Sequence, residues 1–103
     1  MRIFFERSGG FMGLNIHTAV DTQALPDTEA HSLEQMIHET QFFELPENLK
    51  DPTKGADQFN YILRVETPEQ EHTIHTTDIT APDSLRPLLS RLTYLARQKP
   101  REK

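Results

Sequence analysis

A chain of 103 residues has the length of one domain, and on folding it buries roughly two-thirds of the surface that the unfolded chain exposes. Its 35% hydrophobic and 26% charged residues exclude a disordered chain, and its apolar stretches are far shorter than the ~20 residues that cross a bilayer. The net charge of −5 argues against a nucleic-acid partner, and the absence of cysteine excludes disulfides, thiolate zinc sites and thiol nucleophiles.

The N-terminal part of the sequence predicts a β-hairpin. Met1–Arg7 alternates apolar with polar side chains, which is the period-2 pattern of a half-buried strand, and Leu14–Asp21 repeats that pattern. The connecting turn is expected to run from about Ser8 to Gly13. It is rich in glycine but carries Phe11 and Met12 at its tip, where turns usually have polar residues.

A helix over about residues 28–40 follows. Pro26-Asp27-Thr28 is a helix start signal, and apolar side chains then recur at helical spacing, which predicts a buried face made of Ala30, Leu33, Met36, Ile37 and Thr40. Pro46 prevents the helix from continuing. The side chains between helix and proline are expected to cover the core, namely Phe42, Phe43 and Leu45. Residues 47–57 are expected to form a long polar loop.

The second half of the chain repeats the hairpin-plus-helix order. Alternation over residues 59–66 and 72–77, joined by a turn at Thr67–Gln70, predicts a second hairpin. From Pro82 onwards a final helix places five leucines on one stripe, and Pro87 is tolerated because it lies in the first turn. The leucines are Leu85, Leu88, Leu89, Leu92 and Leu95.

The predicted fold class is therefore α+β, with the order ββαββα. Each strand has one apolar side and each helix has one apolar stripe, so we expect a four-stranded antiparallel sheet with both helices on one face. The order of the strands in the sheet stays open. We expect a single domain over 1–97 followed by a basic, disordered tail over 98–103, in a cytoplasmic protein that is a monomer or weak dimer.

No residue pattern in the chain predicts catalysis or a cofactor. The histidines are expected on the solvated surface, because His72 and His75 point to opposite faces of a strand and His31 and His38 lie two helical turns apart. No serine follows the pattern of an activated nucleophile. A carboxylate pair of Asp57 with Asp78 or Glu66 is conceivable, but nothing fixes its separation. We therefore expect no metal and no enzyme activity, and a function exerted through the protein surface.

Three sequence blocks occur together in this chain: RSGGFMGL at Arg7–Leu14, QFFELP at Gln41–Pro46, and GADQFNY at Gly55–Tyr61. In this order and spacing they resemble the emfourin family of small bacterial proteins that inhibit thermolysin-like (M4) zinc metalloproteases. The resemblance spans nearly the whole chain. It implies a reversible, non-covalent inhibitor that occludes the active-site cleft of a protealysin-like or thermolysin-like enzyme. The alternative is a non-inhibitory interaction module on the same scaffold.

A physical interpretation consistent with the resemblance predicts the protease-binding residues in the first and third blocks, at Ser8, Gly9, Gly10, Phe11, Met12, Gly55, Ala56 and Asp57. Thermolysin-like clefts accept bulky apolar side chains, which Phe11 or Met12 would supply from a glycine-flanked tip. Two alternatives stay open at this point. Phe11 either enters such a cleft or folds back into the core. Asp57 either closes its own loop as an Asx-turn or meets a basic or metal-bound group of the protease.

Overall fold

The computed structural model describes residues 1–9, 15–50 and 59–98. These residues form β1 (Arg2–Gly9), β2 (Ile16–Asp21), α1 (Asp27–Glu39), β3 (Phe59–Glu66), β4 (Glu71–Thr77) and α2 (Arg86–Gln98). The predicted order ββαββα is confirmed. Among the described residues, no helix combines the length and apolar character required to cross a membrane.

The described strands make one antiparallel sheet in the order β2-β1-β3-β4. The two predicted hairpins are its halves, β1 with β2 and β3 with β4. They are joined through the central pair β1 and β3, which runs from Arg2 opposite Glu66 to Gly9 opposite Phe59. This pairing brings together positions separated by fifty or more residues in the chain, and it settles the strand order that local patterns leave open.

The core lies between the sheet and both helices. Side chains alternate between the faces of a strand, so one face collects the apolar positions of all four strands. Ile3 and Leu63 lie on that face, and Leu33 of α1 and Leu92 of α2 pack against them with no exposed surface. The prediction that both helices cover one face is confirmed. The buried side chains are Ile3, Phe5, Leu33, Ile37, Phe42, Tyr61, Leu63, Val65, Ile74, Ala81, Leu85, Leu88, Leu89 and Leu92.

The end of α1 directs the following segment into the core. Gln41 adopts a left-handed conformation with φ of 53°, which costs a non-glycine residue about 1–2 kcal/mol and stops the helix. The chain then enters a short 3-10 turn, and the ring of Phe42 becomes buried at 1% exposure. Phe43 and Leu45 are half-buried against the core. The expectation that these three side chains cover the core is confirmed.

The segment after α1 differs from the expected polar loop at its start. The backbone of His75 donates to the carbonyl of Glu47 and accepts from the N–H of Leu49, both at 2.7 Å. Asn48 thereby lies beside β4 as a parallel bridge. The backbone groups of His75 point away from β3 because hydrogen bonding alternates along an antiparallel strand, and residues 47–49 satisfy them.

His72 is a structural residue, and the expectation that the histidines are solvated is wrong for it. The register places His72 on the same face of β4 as Ile74, facing the helices, and His75 on the other face. The Nε2 atom of His72 lies 2.7 Å from the carbonyl oxygen of Leu45. Its ring meets that of Phe42 edge-on, with centroids 5.5 Å apart. His72 therefore ties β4 to the segment that follows α1.

The face opposite the helices carries an ion-pair cluster. One guanidinium nitrogen of Arg64 lies 2.8 Å from carboxylate oxygens of both Glu71 and Glu66. The hydrogen bond and charge of Glu71, supported by Glu66, raise the pKa of Arg64 above its ordinary value. These side chains are solvent-accessible, so the cluster adds little to stability and weakens further with salt.

Replacing His72 should destabilise the fold. His72→Ala leaves the Leu45 carbonyl without its partner and removes the edge contact with Phe42, so we expect unfolding free energy to fall by about 1–3 kcal/mol. Urea unfolding followed by circular dichroism measures this. His31→Ala, on the exposed side of α1, is the matched control and should change stability by less than about 0.5 kcal/mol. Equal stability of the two variants would contradict the assigned role of His72.

Candidate functional site

One end of the sheet collects the connections of interest. β1 ends there at Gly9, β2 begins at Ile16, β3 begins at Phe59 and β4 ends at Thr77. We call this end, with the turn that follows β4, the loop end. In the sequence, residues 10–15 separate β1 from β2 and residues 51–58 precede β3, so both stretches are attached to the sheet at the loop end.

Two of the predicted site residues lie in β1. Ser8 and Gly9 pair with Asn60 and Phe59, so the expectation that the turn begins at Ser8 is wrong. The strand continues because β3 offers partners on its other side, which the β1–β2 hairpin pattern does not reveal. Gly9 has a φ of 86°, which glycine adopts without the penalty that a Cβ would impose. The other predicted site residues, Gly10, Phe11, Met12, Gly55, Ala56 and Asp57, lie outside the described residues.

The register nevertheless fixes where the two predicted segments are attached. Gly9 stands opposite Phe59, and Cα atoms of such antiparallel partners are about 5 Å apart. Phe11 follows Gly9 by two residues, and Asp57 precedes Phe59 by two residues. Segments distant in the sequence are therefore attached to neighbouring points on a paired strand framework.

The start of β3 is held by hydrogen bonds to Asp78, the residue that follows β4. The N–H of Phe59 donates to Oδ1 of Asp78 at 3.1 Å, and the N–H of Asp78 donates to the carbonyl of Phe59 at 3.3 Å. Arg86, at the start of α2, donates to the carbonyl of Asp78 at 2.8 Å. Asp78 thus links β3 to the beginning of α2. Its sequence signal, an acid just after a strand, does not distinguish this role from a solvated turn residue.

Arg7 adds a stacked cation to the loop end. Its guanidinium carbon lies 4.1 Å from the ring centroid of Phe59, within the range of a cation–π interaction. Arg7 and Arg86 both line a groove of about 250 Å³ at this end of the sheet. Two cationic side chains therefore flank the groove in a protein of net charge −5. The groove is lined by Arg7, Tyr61, Asp78, Arg86, Leu89, Ser90 and Thr93.

The carboxylate pair considered for catalysis was Asp57 with Asp78 or Glu66, and Asp57 lies outside the described residues. Of its two possible partners, Asp78 lies at the loop end, whereas Glu66 stands opposite Arg2 at the other end of β3. Across the ranges 1–9, 15–50 and 59–98, no three His, Asp or Glu side chains are grouped to hold a metal ion.

The fold defines a small two-layer α+β protein in which Gly9 and Phe59, the strand residues next to the two predicted segments in the sequence, stand opposite one another at the loop end. The family model for Emfourin matches residues 5–93, and the chain belongs to the emfourin family. No curated protein and no solved structure gives a significant match. Membership of this inhibitor family suggests a protease-inhibitor role and fits a protein that is not an enzyme.

The link between Asp78 and Phe59 should be measurable on its own. Asp78→Ala removes the acceptor of the Phe59 N–H, so we expect stability to fall by about 1–2 kcal/mol and the Phe59 amide to exchange with solvent faster. Asp78→Asn keeps a side-chain oxygen and should retain most of the protection. Native-state hydrogen exchange read by NMR distinguishes the two variants. A Phe59 amide equally protected in both would show that the side chain of Asp78 does not hold it.

Proposed function

We propose that this protein is a reversible, non-covalent inhibitor of a thermolysin-like (M4) zinc metalloprotease and acts by occluding the active-site cleft. The observation that carries the proposal is the match of the Emfourin model to residues 5–93, which includes both segments attached at the loop end. The strand register supports it, because Gly9 and Phe59, the described strand residues next to these segments in the sequence, stand opposite one another.

In this proposal the protease contacts are Ser8, Gly9, Gly10, Phe11, Met12, Gly55, Ala56 and Asp57. Phe11 is the anchor: its ring enters an apolar pocket of the cleft, and the glycines on either side let the backbone approach the enzyme closely. The segment containing Asp57 assists from the neighbouring position and meets a basic or metal-bound group of the enzyme. The inhibitor thus combines an apolar anchor with a polar contact.

The framework explains how a small protein binds tightly through short segments. A free peptide loses backbone entropy when it binds, which lowers its affinity. These segments are attached to β1 and β3, which are already ordered when the protein folds, so less entropy is lost on binding. Paired strand positions and the hydrogen bonds of Asp78 fix the anchor points. More of the interaction free energy with the protease is then available as affinity.

Titration against two enzymes tests the function. We expect the purified protein to abolish the peptidase activity of thermolysin or of a protealysin-like enzyme at a 1:1 ratio, with activity recovering on dilution because no covalent bond forms. Trypsin, a serine protease, serves as the control and should stay active. Full activity of both metalloproteases in a large excess of the protein would contradict the proposal and favour the non-inhibitory module.

The anchor is tested by Phe11→Ala. Central aromatic anchors often contribute ~2 kcal/mol or more, so we expect inhibition to weaken roughly thirty-fold or more with little change in melting temperature. If Phe11 belongs to the core, the same change instead costs about 3–5 kcal/mol of stability.

Tyr94→Ala is the matched control, because Tyr94 is an exposed aromatic residue on α2 and its loss should affect neither quantity. Both quantities are measured on each variant, as the inhibition constant and the melting temperature. Unchanged inhibition by a folded Phe11→Ala variant would remove Phe11 from the site and move attention to Asp57.

A further inference from the structure

The turn that follows β4 exposes an apolar side chain at the loop end. Among the described residues, Ile79 at 49% and Tyr94 at 52% are the large hydrophobic side chains with the greatest exposure. Tyr94 lies under the guanidinium of Arg91, at 5.5 Å from its carbon. Ile79 stands instead at the apex of a tight turn between Thr77 and Ala81, both of which are buried.

The backbone around Ile79 is held firmly. The N–H of Ala81 donates to the carbonyl of Thr77 at 2.9 Å, which closes the turn. Inside it, the hydroxyl of Thr80 lies 2.8 Å from that of Thr77. Arg86 clamps the turn from outside through the carbonyl of Asp78. Ile79 is therefore presented on a fixed backbone, although its side chain contributes little to the core.

Ile79 is close to the segments of the proposed protease contact. Its neighbour Asp78 exchanges hydrogen bonds with Phe59, and Phe59 stands opposite Gly9 on the next strand. Two strand spacings separate Gly9 from Asp78, which is about 10 Å. This distance equals the span of about three residues of an extended peptide, so in the proposed complex a protease that contacts the chain next to Gly9 is large enough to contact the turn of Ile79 as well.

We propose that Ile79 is a further protease-contacting residue, which packs against an apolar patch on the rim of the active-site cleft. This inference rests on the proposed inhibitory function. Ile79 covers apolar surface of the enzyme at low entropic cost, because its backbone is already fixed by the turn. Ile79 would thereby contribute to specificity among metalloproteases whose cleft rims differ in sequence. The anchor Phe11, in contrast, enters the active-site cleft that all of these enzymes have.

Two substitutions at Ile79 test the inference. Ile79→Ala removes apolar contact and should weaken inhibition of the sensitive enzyme about ten-fold, and Ile79→Asp, which buries a charge, should weaken it further. Both should leave the melting temperature within a few degrees of the unsubstituted protein, because the side chain is half exposed. The Tyr94→Ala variant is the control and should inhibit normally. Tyr94 lies eight residues beyond Arg86, which is about 12 Å further along α2.

A second measurement reads contact directly. In a protein labelled at its isoleucine methyl groups, the Ile79 signal should shift when the protease is added, while that of buried Ile74 should not. If the unsubstituted protein inhibits but both Ile79 variants inhibit equally well and the Ile79 signal stays in place, the inference is wrong and the inhibitory function stands. If the unsubstituted protein inhibits neither metalloprotease, the proposed function and this inference fail together.

Discussion

The pairing of β1 with β3 is the contact on which the rest of the structure depends. It joins two hairpins that are separate along the chain into one sheet, and only then does a single apolar face exist that is wide enough for both helices. The same register decides what lies at the sheet's ends. With Ile3 opposite Val65, apolar side chains meet in the core, and with Gly9 opposite Phe59, the ends of the two central strands meet at the loop end.

Local patterns predicted most of the fold, because hydrophobic periodicity reports which face of an element is buried. The alternation in Phe59–Glu66 and the leucine stripe of α2 led directly to the observed elements. Gln41, Phe42 and Phe43 also show why a short motif is informative. The left-handed residue ends the helix and the next ring enters the core, so the prediction of a buried aromatic after α1 is confirmed.

Contacts between distant segments were beyond the reach of such patterns. Ser8 and Gly9 have the composition of a turn, yet they extend β1 because a strand fifty residues away offers partners. His72 has the polarity of a surface residue, yet the free carbonyl of Leu45 and the ring of Phe42 make a half-buried position favourable for it. At the candidate site, sequence predicted the two segments, whereas the contacts of Arg7, Asp78 and Arg86 depend on tertiary structure that local patterns do not report.

In the proposed complex, the loop end separates the residues that hold the framework from those that contact the protease. Among its described residues, backbone groups are satisfied within the protein, as the bonds between Phe59 and Asp78 and the closure from Ala81 to Thr77 show. The half-exposed side chain of Ile79 projects from this framework, so its replacement is expected to change what the surface binds more than whether the chain folds. Asp78 has the opposite role, because its hydrogen bonds hold the start of β3 to the turn after β4. Under the proposed function, a small domain of this kind can therefore change its specificity at positions such as Ile79 without rebuilding its core.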